Sequence, residues 1–272
     1  MAGRETVPSG IGWDLFQCYV RALEKYKPDY FLYENNKSIS KEIQACISEV
    51  LGVEPVLINS SLVSAQNRER LYWTNIPGVG QPKDRGLLLR DIVLPVREVP
   101  DKYWYDYGFV MTGNQSGVVC VIDKPQWLDI MRRVYSLDSK SPTLNTVGGG
   151  NQQAKVFQAG RCRKLTPVEY ARLQMVPDSY IFPVSDAQKY KMLGNGWTID
   201  VISHILGHIP GINKEQVDVL SLFDGMACGR IALDKLGVSV KSYSAYEIDK
   251  YAIKTVLANY PDVQECGDVF SI

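Results

Sequence analysis

The sequence has few residues of the types that bind metals or form disulfide frameworks, and its charges cancel. Only 2 of its 272 residues are histidine, and its 6 cysteines include no Cys-x-x-Cys pair. Neither a zinc site nor a disulfide framework is therefore predicted. The 30 basic and 30 acidic residues give no net charge, so any contact with nucleic acid must come from a local basic patch.

Long apolar runs are absent as well. No stretch approaches the roughly 18 apolar residues of a membrane span, and the first residues contain no apolar signal core. We therefore expect no membrane partner and a soluble intracellular protein, of the cytoplasm or nucleoid, or of the nucleus in a eukaryote. Because 45% of the residues are hydrophobic, the chain can build a full core.

A predicted strand, a glycine turn and a predicted helix follow one another near the end of the sequence. Residues 217–223 form a short β-branched run typical of a central parallel strand, and Gly225 and Gly229 bracket the turn. Residues 230–236 then have apolar positions at helical spacing. Open α/β folds bind ligands where such strands end. Glycine turns of this kind also serve packing alone, so the pattern needs support.

The support comes from acidic residues that follow three successive predicted strands, namely Asp224, Glu247 and Asp268. Glu247 follows Asp224 at about the spacing at which an acid meets ribose hydroxyls. No lysine-containing phosphate loop is present, which favours a ligand with a ribose and a cationic portion, such as S-adenosylmethionine. The sequence predicts a doubly wound, mostly parallel, Rossmann-like α/β sheet with helices on both faces.

Polar residues also follow predicted strands in the first part of the sequence. Glu34 ends the apolar run 28–33, and Gln66, Arg68 and Arg70 are two apart, on one face of an extended segment. Guanidinium groups suit planar or phosphate oxygen acceptors. Two simpler interpretations remain open at this point: Glu34 caps the next helix, and the arginines lie on a solvated strand edge.

The pattern changes after residue 77, where glycine and proline become frequent and the predicted strands become short. We expect a small separate domain there, with aromatic and basic residues interleaved as on nucleic-acid surfaces, although core packing explains most such stretches. These residues are Tyr103, Trp104, Tyr105, Tyr107, Lys124, Trp127, Arg132 and Arg133. Further on, Thr166 and Glu169 form a predicted capping box. His204 and His208 have no acidic third ligand, so no metal is expected.

In combination these motifs resemble those of the DNA (cytosine-5) methyltransferases, over nearly the whole chain. The resemblance implies S-adenosylmethionine as cofactor and double-stranded DNA as partner, as in restriction-modification enzymes. It implies catalytic roles for Glu34, Arg68 and Arg70. It implies cofactor contacts for Phe223, Asp224, Gly225, Ala227, Cys228, Gly229, Glu247, Ile248, Asp268, Val269, Asn195, Gly196 and Trp197.

The order of the motifs is rotated relative to the usual order in this family. The Phe-Asp-Gly motif at 223–225 normally opens the chain, but here it follows the Gly-Asn-Gly motif at 194–196, which normally closes it. This order resembles a circular permutation. The expected segments are 1–79 with the Glu-Asn and Gln-x-Arg-x-Arg motifs, a target-recognition domain at 80–160, closing helices at 161–210, and a cofactor-binding βαβαβ half at 211–272.

The nucleophile that the resemblance implies is a cysteine after a proline, and no Pro-Cys pair occurs in these 272 residues. Cys228 lies inside the cofactor turn and Cys266 behind the third predicted strand, so neither is placed to attack. We expect the isolated chain to be inactive and to need the loop and its strand from a second polypeptide. The alternatives are a non-catalytic regulatory relative that binds cofactor or DNA, and a tRNA cytosine-5 methyltransferase.

Overall fold

The structure is a computed structural model that describes residues 8–272, without the side chains of Asn114 and Gln115. The start of the predicted first segment, residues 1–7, lies outside the described residues. The chain divides into two compact units. The first unit contains the residues up to Asn59, Glu69–Pro82 and Val201–Ile272, and the second contains Ser60–Arg68 and Lys83–Asp200.

Eleven strands and eight α-helices are present in the described residues. The strands are β1 (Leu32–Asn36), β2 (Val56–Asn59), β3 (Glu69–Thr74), β4 (Phe109–Gln115), β5 (Val118–Ile122), β6 (Arg133–Tyr135), β7 (Lys155–Gln158), β8 (Arg161–Lys164), β9 (Val217–Leu222), β10 (Val240–Tyr246) and β11 (Gln264–Glu265). The helices are α1 (Gly10–Tyr26), α2 (Lys41–Leu51), α3 (Asp129–Arg132), α4 (Pro167–Leu173), α5 (Asp186–Asn195), α6 (Ile199–Leu206), α7 (Cys228–Lys235) and α8 (Lys250–Asn259).

The first unit contains two three-stranded sheets. One has the order β11-β10-β9 and is parallel throughout. Between its strands run α7 and α8, as the spacing of apolar residues predicts. The other has the order β1-β3-β2, with β3 antiparallel to both neighbours. The predicted α/β class is confirmed.

Each of these sheets has its own apolar core. The aromatic side chains of Phe16 and Trp73 pack with Ile47 and Leu71, which joins α1 and α2 to the β1-β3-β2 sheet. The parallel sheet has a second core cluster, formed by residues of α8, of β10 and of the segments that precede α7 and β11. Its buried members are Ala227, Tyr243, Ala245, Val256 and Val263.

Strands β1 and β9 each have one edge without a strand partner in the described part of the chain. β1 pairs only with β3, and β9 pairs only with β10. All five residues of β1 are half-buried, as are five of the six residues of β9. A run as apolar as Val217–Leu222 is typical of a strand buried in the middle of a parallel sheet. The two edges are therefore less covered than their sequences predict.

The second unit contains a five-stranded sheet of order β4-β5-β6-β7-β8. Tyr105, Cys120, Ile122, Val134 and Cys162 form its buried cluster. The core interpretation is therefore confirmed for Tyr105. The sheet is followed by α4, which begins at the predicted capping box.

The capping box of α4 is confirmed. The Thr166 hydroxyl accepts the Glu169 amide N–H, and the Glu169 carboxylate accepts the Thr166 amide N–H.

Within residues 8–272, none of the helices has the length and apolar character that a membrane span requires.

Candidate functional site

The turn between β9 and α7 has a backbone that most residues avoid. Phe223, Gly225 and Ala227 have φ angles of 57°, 60° and 56°. Only glycine adopts this left-handed region without strain, and each non-glycine residue there costs roughly 1–3 kcal/mol. Phe223 is also 44% exposed despite its large apolar ring. Strain and an exposed aromatic ring at the end of a parallel strand are features of a binding site.

Asp224 lies under this turn and is almost fully buried. Its Oδ1 accepts hydrogen bonds from the Ser221 hydroxyl at 2.5 Å and the Tyr243 hydroxyl at 2.6 Å. Its Oδ2 is buried and has no hydrogen-bond donor in the described part of the chain. Burial raises the pKa of Asp224, the two hydroxyls lower it, and the nearby Glu247 carboxylate raises it further. The side chain thus offers a buried acceptor at the base of the turn.

Glu247 connects the end of β10 to the turn. Its Oε2 accepts the Gly225 amide N–H at 2.8 Å, and its Oε1 accepts the N–H groups of Ile248 and Asp249, also at 2.8 Å. A carboxylate has about four acceptor positions, so one remains for a ligand hydroxyl. The predicted ribose acid is therefore held in place by backbone donors.

The third acid of the series, Asp268, follows β11. It is exposed, and its Oδ1 accepts the Phe270 amide N–H at 3.0 Å, while Val269 is buried. Exposed apolar side chains accompany it in this unit: Ile248 is 73% exposed and Phe270 is 50% exposed. This set of groups fits an adenosine ligand. Asp268 can accept from an amine of the base, Glu247 can accept from ribose hydroxyls, and the exposed apolar side chains can cover the flat ring.

Glu34 and Arg70 form an ion pair on neighbouring strands. Arg70 Nε lies 2.9 Å from Glu34 Oε1, and both side chains are about 15% exposed. Pairing of β1 with β3 produces this contact, since Asn36 lies opposite Arg70. Glu34 lies within β1 near its end, because pairing with β3 continues the strand through Asn36. A partly buried carboxyl beside a guanidinium can bind the acceptor and donor edge of a planar base.

Arg68 lies in the second unit and contacts backbone carbonyl groups. It is 3% exposed, and its guanidinium donates to the carbonyl oxygens of Leu144 at 3.5 Å, Gly194 at 3.3 Å and Gly196 at 3.0 Å. Arg68 and Arg70 therefore have different partners, although the Gln-x-Arg-x-Arg spacing places both on one face of an extended segment. The contacts of Arg68 fix the loop at the end of α5.

That loop contains the other predicted cofactor residues, Asn195, Gly196 and Trp197. Only glycine fits at Gly194, where the loop begins, because a Cβ there would lie 2.3 Å from the Asn145 carbonyl oxygen. Gln174 also donates to the Gly196 carbonyl oxygen at 3.0 Å. These residues belong to the second unit, whereas the turn at 223–229 belongs to the first. Their part in cofactor binding stays a prediction.

Three residues near the turn had no predicted role: Ser221, Tyr243 and Glu265. Ser221 lies opposite Ala245 in β10, and Ala245 lies opposite Glu265 in β11. Paired residues of neighbouring strands point to the same face of a sheet, as does Tyr243, two residues before Ala245. A serine, a tyrosine and a glutamate at inward positions of apolar strands are the only signal for them in the sequence.

The described cysteines and histidines form no metal site. All six cysteines are free thiols, and Cys228 is buried at the start of α7. His204 Nε2 contacts the Gly80 carbonyl oxygen, and His208 Nδ1 contacts the His204 carbonyl oxygen. Within residues 8–272 no group of three or more His, Cys, Asp or Glu residues is arranged to hold a metal ion.

Comparison with solved structures defines the class of protein. The chain is similar to a DNMT2 mutant of Spodoptera frugiperda, with a TM-score of 0.50 and 18% identity over 71% of this chain and 70% of the other. It is also similar to the methyltransferase EhMeth of Entamoeba histolytica, with a TM-score of 0.52 and 14% identity over 72% and 67%. The fold is the α/β methyltransferase fold.

Sequence comparison finds relatives among the cytosine-5 DNA methyltransferases. Residues 95–211 match the profile described as C-5 cytosine-specific DNA methylase. The type II methyltransferase M.HpaII of Haemophilus parainfluenzae is 29% identical, over 69% of this chain and 62% of its own length. The type II methyltransferase M.SsoII of Shigella sonnei is 37% identical, over 70% and 55%. The chain is thus similar to cytosine-5 DNA methyltransferases, a family that uses S-adenosylmethionine as methyl donor.

A plant relative aligns with more of the chain. The DNA (cytosine-5)-methyltransferase DRM2 of Oryza sativa subsp. japonica is 23% identical, over 96% of this chain and 45% of its own length. The chain spans about half the length of the curated relatives it matches.

Proposed function

We propose that this protein is part of a cytosine-5 DNA methyltransferase and binds both S-adenosylmethionine and a cytosine flipped out of double-stranded DNA. The observation that carries the proposal is the ion pair of Glu34 and Arg70 in the same unit as the turn at 223–229. The relatives named above as methyltransferases support it. A target base in a duplex must leave the stack before such side chains reach its edge.

Glu34 and Arg70 supply the contacts that make the pyrimidine ring electrophilic. When the base enters, the Glu34 carboxylate takes up a proton from water and donates it in a hydrogen bond to N3 of the cytosine, while the Arg70 guanidinium donates to O2. Both contacts withdraw electron density from C6, which then accepts a thiolate nucleophile. Asp224, Glu247 and Asp268 hold the cofactor, which when bound supplies the electrophilic methyl group for C5. Arg68 acts as a positioning residue, because its guanidinium donates to carbonyl oxygens of the loop at 194–196 and so orders that loop.

The motif order is part of the proposal. The Gly-Asn-Gly motif at 194–196 precedes the Phe-Asp-Gly motif at 223–225 in these 272 residues. One alignment to DRM2 covers 96% of the chain, which supports a rotated order shared with that relative. The segment proposed to join the former chain ends, at 210–216, is polar and contains glycine, as such a linker would.

The proposal also includes the source of the catalytic nucleophile. These 272 residues contain no Pro-Cys pair, and we propose that a segment outside them, tested below as a second polypeptide, supplies it on a strand and loop. The half-buried edges of β1 and β9 support this, because neither strand has a second strand partner in the described residues. A buried backbone group without a partner costs roughly 1–3 kcal/mol, so a paired strand would stabilise both edges.

The proposal is tested with duplex DNA that contains 5-fluorocytosine, which traps the covalent adduct. The chain is incubated with this DNA and S-adenosylmethionine, alone and with a candidate polypeptide that contains the Pro-Cys loop. Denaturing electrophoresis and mass spectrometry then identify the cysteine that is attached to the base. We expect no adduct with the chain alone, and an adduct on the other polypeptide in the mixture.

Other outcomes identify the alternatives. An adduct on one of the six cysteines of this chain would contradict the proposal that the nucleophile lies outside these 272 residues. Binding of cofactor or DNA without adduct in any mixture would indicate a non-catalytic regulatory relative. An adduct with 5-fluorocytosine tRNA in place of DNA would assign tRNA as the substrate.

A further inference from the structure

Three carboxylates converge at the turn between β9 and α7, and one of them has no counterpart among the predicted cofactor residues. Glu265 lies on β11, and both of its carboxylate oxygens are buried without a hydrogen-bond donor in the described residues. The buried Oδ2 of Asp224 is also without a donor there. Three buried acceptor atoms without donors are costly in any folded protein, so they call for an explanation in terms of a ligand or a proton.

The sheet register brings these groups together. Ala245 separates Ser221 and Glu265 in one row across β9, β10 and β11. Asp224 bonds to Ser221 at one end of this row. The face therefore concentrates negative charge beneath the turn.

No described residue neutralises this charge by an ion pair. The Asp224 carboxylate is bonded to hydroxyl groups, and the Glu247 carboxylate is bonded to backbone N–H groups. Burial, together with the charges of Asp224 and Glu247, raises the pKa of Glu265 to about 7. Glu265 thus exchanges a proton near neutral pH, and a nearby cation would favour its charged form.

We infer that Glu265, with Asp224, makes this site select S-adenosylmethionine over S-adenosylhomocysteine by charge, an inference that rests on the proposed function. The methyl donor carries a sulfonium and so has one more positive charge than the product of methyl transfer. A buried carboxylate interacts with that charge in an environment of low dielectric constant. Loss of the sulfonium charge removes the attraction, and the product is released more readily.

The sign of the pH effect follows from linkage. A bound cation lowers the pKa of Glu265. Between its pKa in the complex and its pKa in the free protein, Glu265 therefore carries a proton less often in the complex. Binding of S-adenosylmethionine therefore releases a proton and tightens as the pH rises toward neutrality. S-adenosylhomocysteine lacks the sulfonium charge and releases none from Glu265.

The test measures the affinity of both ligands by calorimetry from about pH 5.5 to about pH 7.5, below most titration of the ligands' own amino groups. We expect the affinity ratio of S-adenosylmethionine to S-adenosylhomocysteine to rise about ten-fold in this range, which corresponds to a pKa change of one unit. In Glu265→Gln the ratio should stay constant. The matched control, Glu215→Gln, removes a carboxylate from the exposed segment before β9 and should behave as the unchanged protein.

A second measurement does not depend on the variant. Calorimetry of the unchanged protein in two buffers with different ionisation enthalpies counts the protons released, and we expect release with S-adenosylmethionine only. A constant ratio in the unchanged protein, or a pH-dependent ratio that persists in a folded Glu265→Gln, would overturn the inference and leave the proposed function intact. Failure to bind either ligand at any pH would overturn both.

Discussion

Glu169 and Asp224 are both buried carboxylates at the start of a helix or a turn, yet their surroundings differ. Glu169 accepts from the Arg163 guanidinium at 2.6 Å and 2.8 Å and from the amide N–H groups of Leu94 and Thr166. Asp224 has two hydroxyl donors on one oxygen, and its other oxygen has none in the described residues. Glu265 has no donor at all there.

The difference separates a carboxylate that holds a fold from one that serves a ligand. Every acceptor position of Glu169 is used, so its charge is compensated within the protein and stabilises one arrangement of the chain. The unsatisfied oxygens near the turn at 223–229 leave charge available to a cationic ligand, at a cost to the stability of the free protein. Substitutions at the two regions should therefore have opposite consequences.

The largest expected effect is on stability, from Glu169→Ala. The change leaves the Arg163 guanidinium buried without its carboxylate, which costs about 3–5 kcal/mol. Urea denaturation followed by circular dichroism should show this loss. The control Glu98→Ala removes an exposed carboxylate that lies 3.7 Å from Arg97 and should change stability by less than about 0.5 kcal/mol. Equal stability of the two variants would contradict the structural role of Glu169.

The next effect is on catalysis, from Arg70→Ala. Loss of a donor to the developing charge on the base should lower methyl transfer in the reconstituted mixture about 10²- to 10³-fold, with the cofactor affinity unchanged. Rates are compared with Arg97→Ala, since the Arg97 side chain is 86% exposed. If Arg70→Ala weakens cofactor binding as much as it slows transfer, the guanidinium does not act on the base.

A smaller effect is expected on cofactor affinity, from Glu247→Ala. The change removes the acceptor of three backbone N–H groups and, in the proposed function, of the ribose, and should weaken S-adenosylmethionine binding about ten- to 100-fold. Calorimetry measures this, with Glu215→Ala as the exposed control. An unchanged affinity would show that Glu247 orders the turn without contacting the ligand.

The smallest effect is the pH dependence of stability that Glu265 produces. Its pKa rises from 4.5 to about 7 on folding, so the folded state binds more proton and loses stability as the pH rises through this window. Glu265→Gln cannot lose that proton. Relative to that of the unchanged protein, the free energy of unfolding of this variant should rise by about 1 kcal/mol between about pH 5 and about pH 8, after allowance for solvent screening. Equal pH profiles in urea denaturation would contradict the raised pKa.

Local sequence patterns predicted the elements that depend on neighbouring residues. The strand at 217–222, the helix from Pro167 with its capping box, and the helix Ile199–Leu206 all have their signal within one stretch of the chain. The predicted acids Asp224, Glu247 and Asp268 follow from the same strand pattern, because parallel strands end at one edge of a sheet.

Contacts between distant strands could not be predicted from such patterns. The position of Glu34 inside β1 depends on its pairing with β3, some 40 residues later in the sequence. The approach of Glu265 to Asp224 depends on the register of three strands, and the contacts of Arg68 depend on a loop at the end of α5. In each case a residue far along the chain decides which side chains meet.

The proposed function requires that these 272 residues bind the methyl donor and the target cytosine while a segment outside them supplies the thiolate. The most direct measurement is transfer of a labelled methyl group from S-adenosylmethionine to mixed-sequence duplex DNA, followed by digestion and identification of the labelled nucleoside. We expect labelled 5-methyl-2′-deoxycytidine in the mixture with the Pro-Cys polypeptide and none with either polypeptide alone. Labelled 5-methyl-2′-deoxycytidine produced by these 272 residues alone would contradict it.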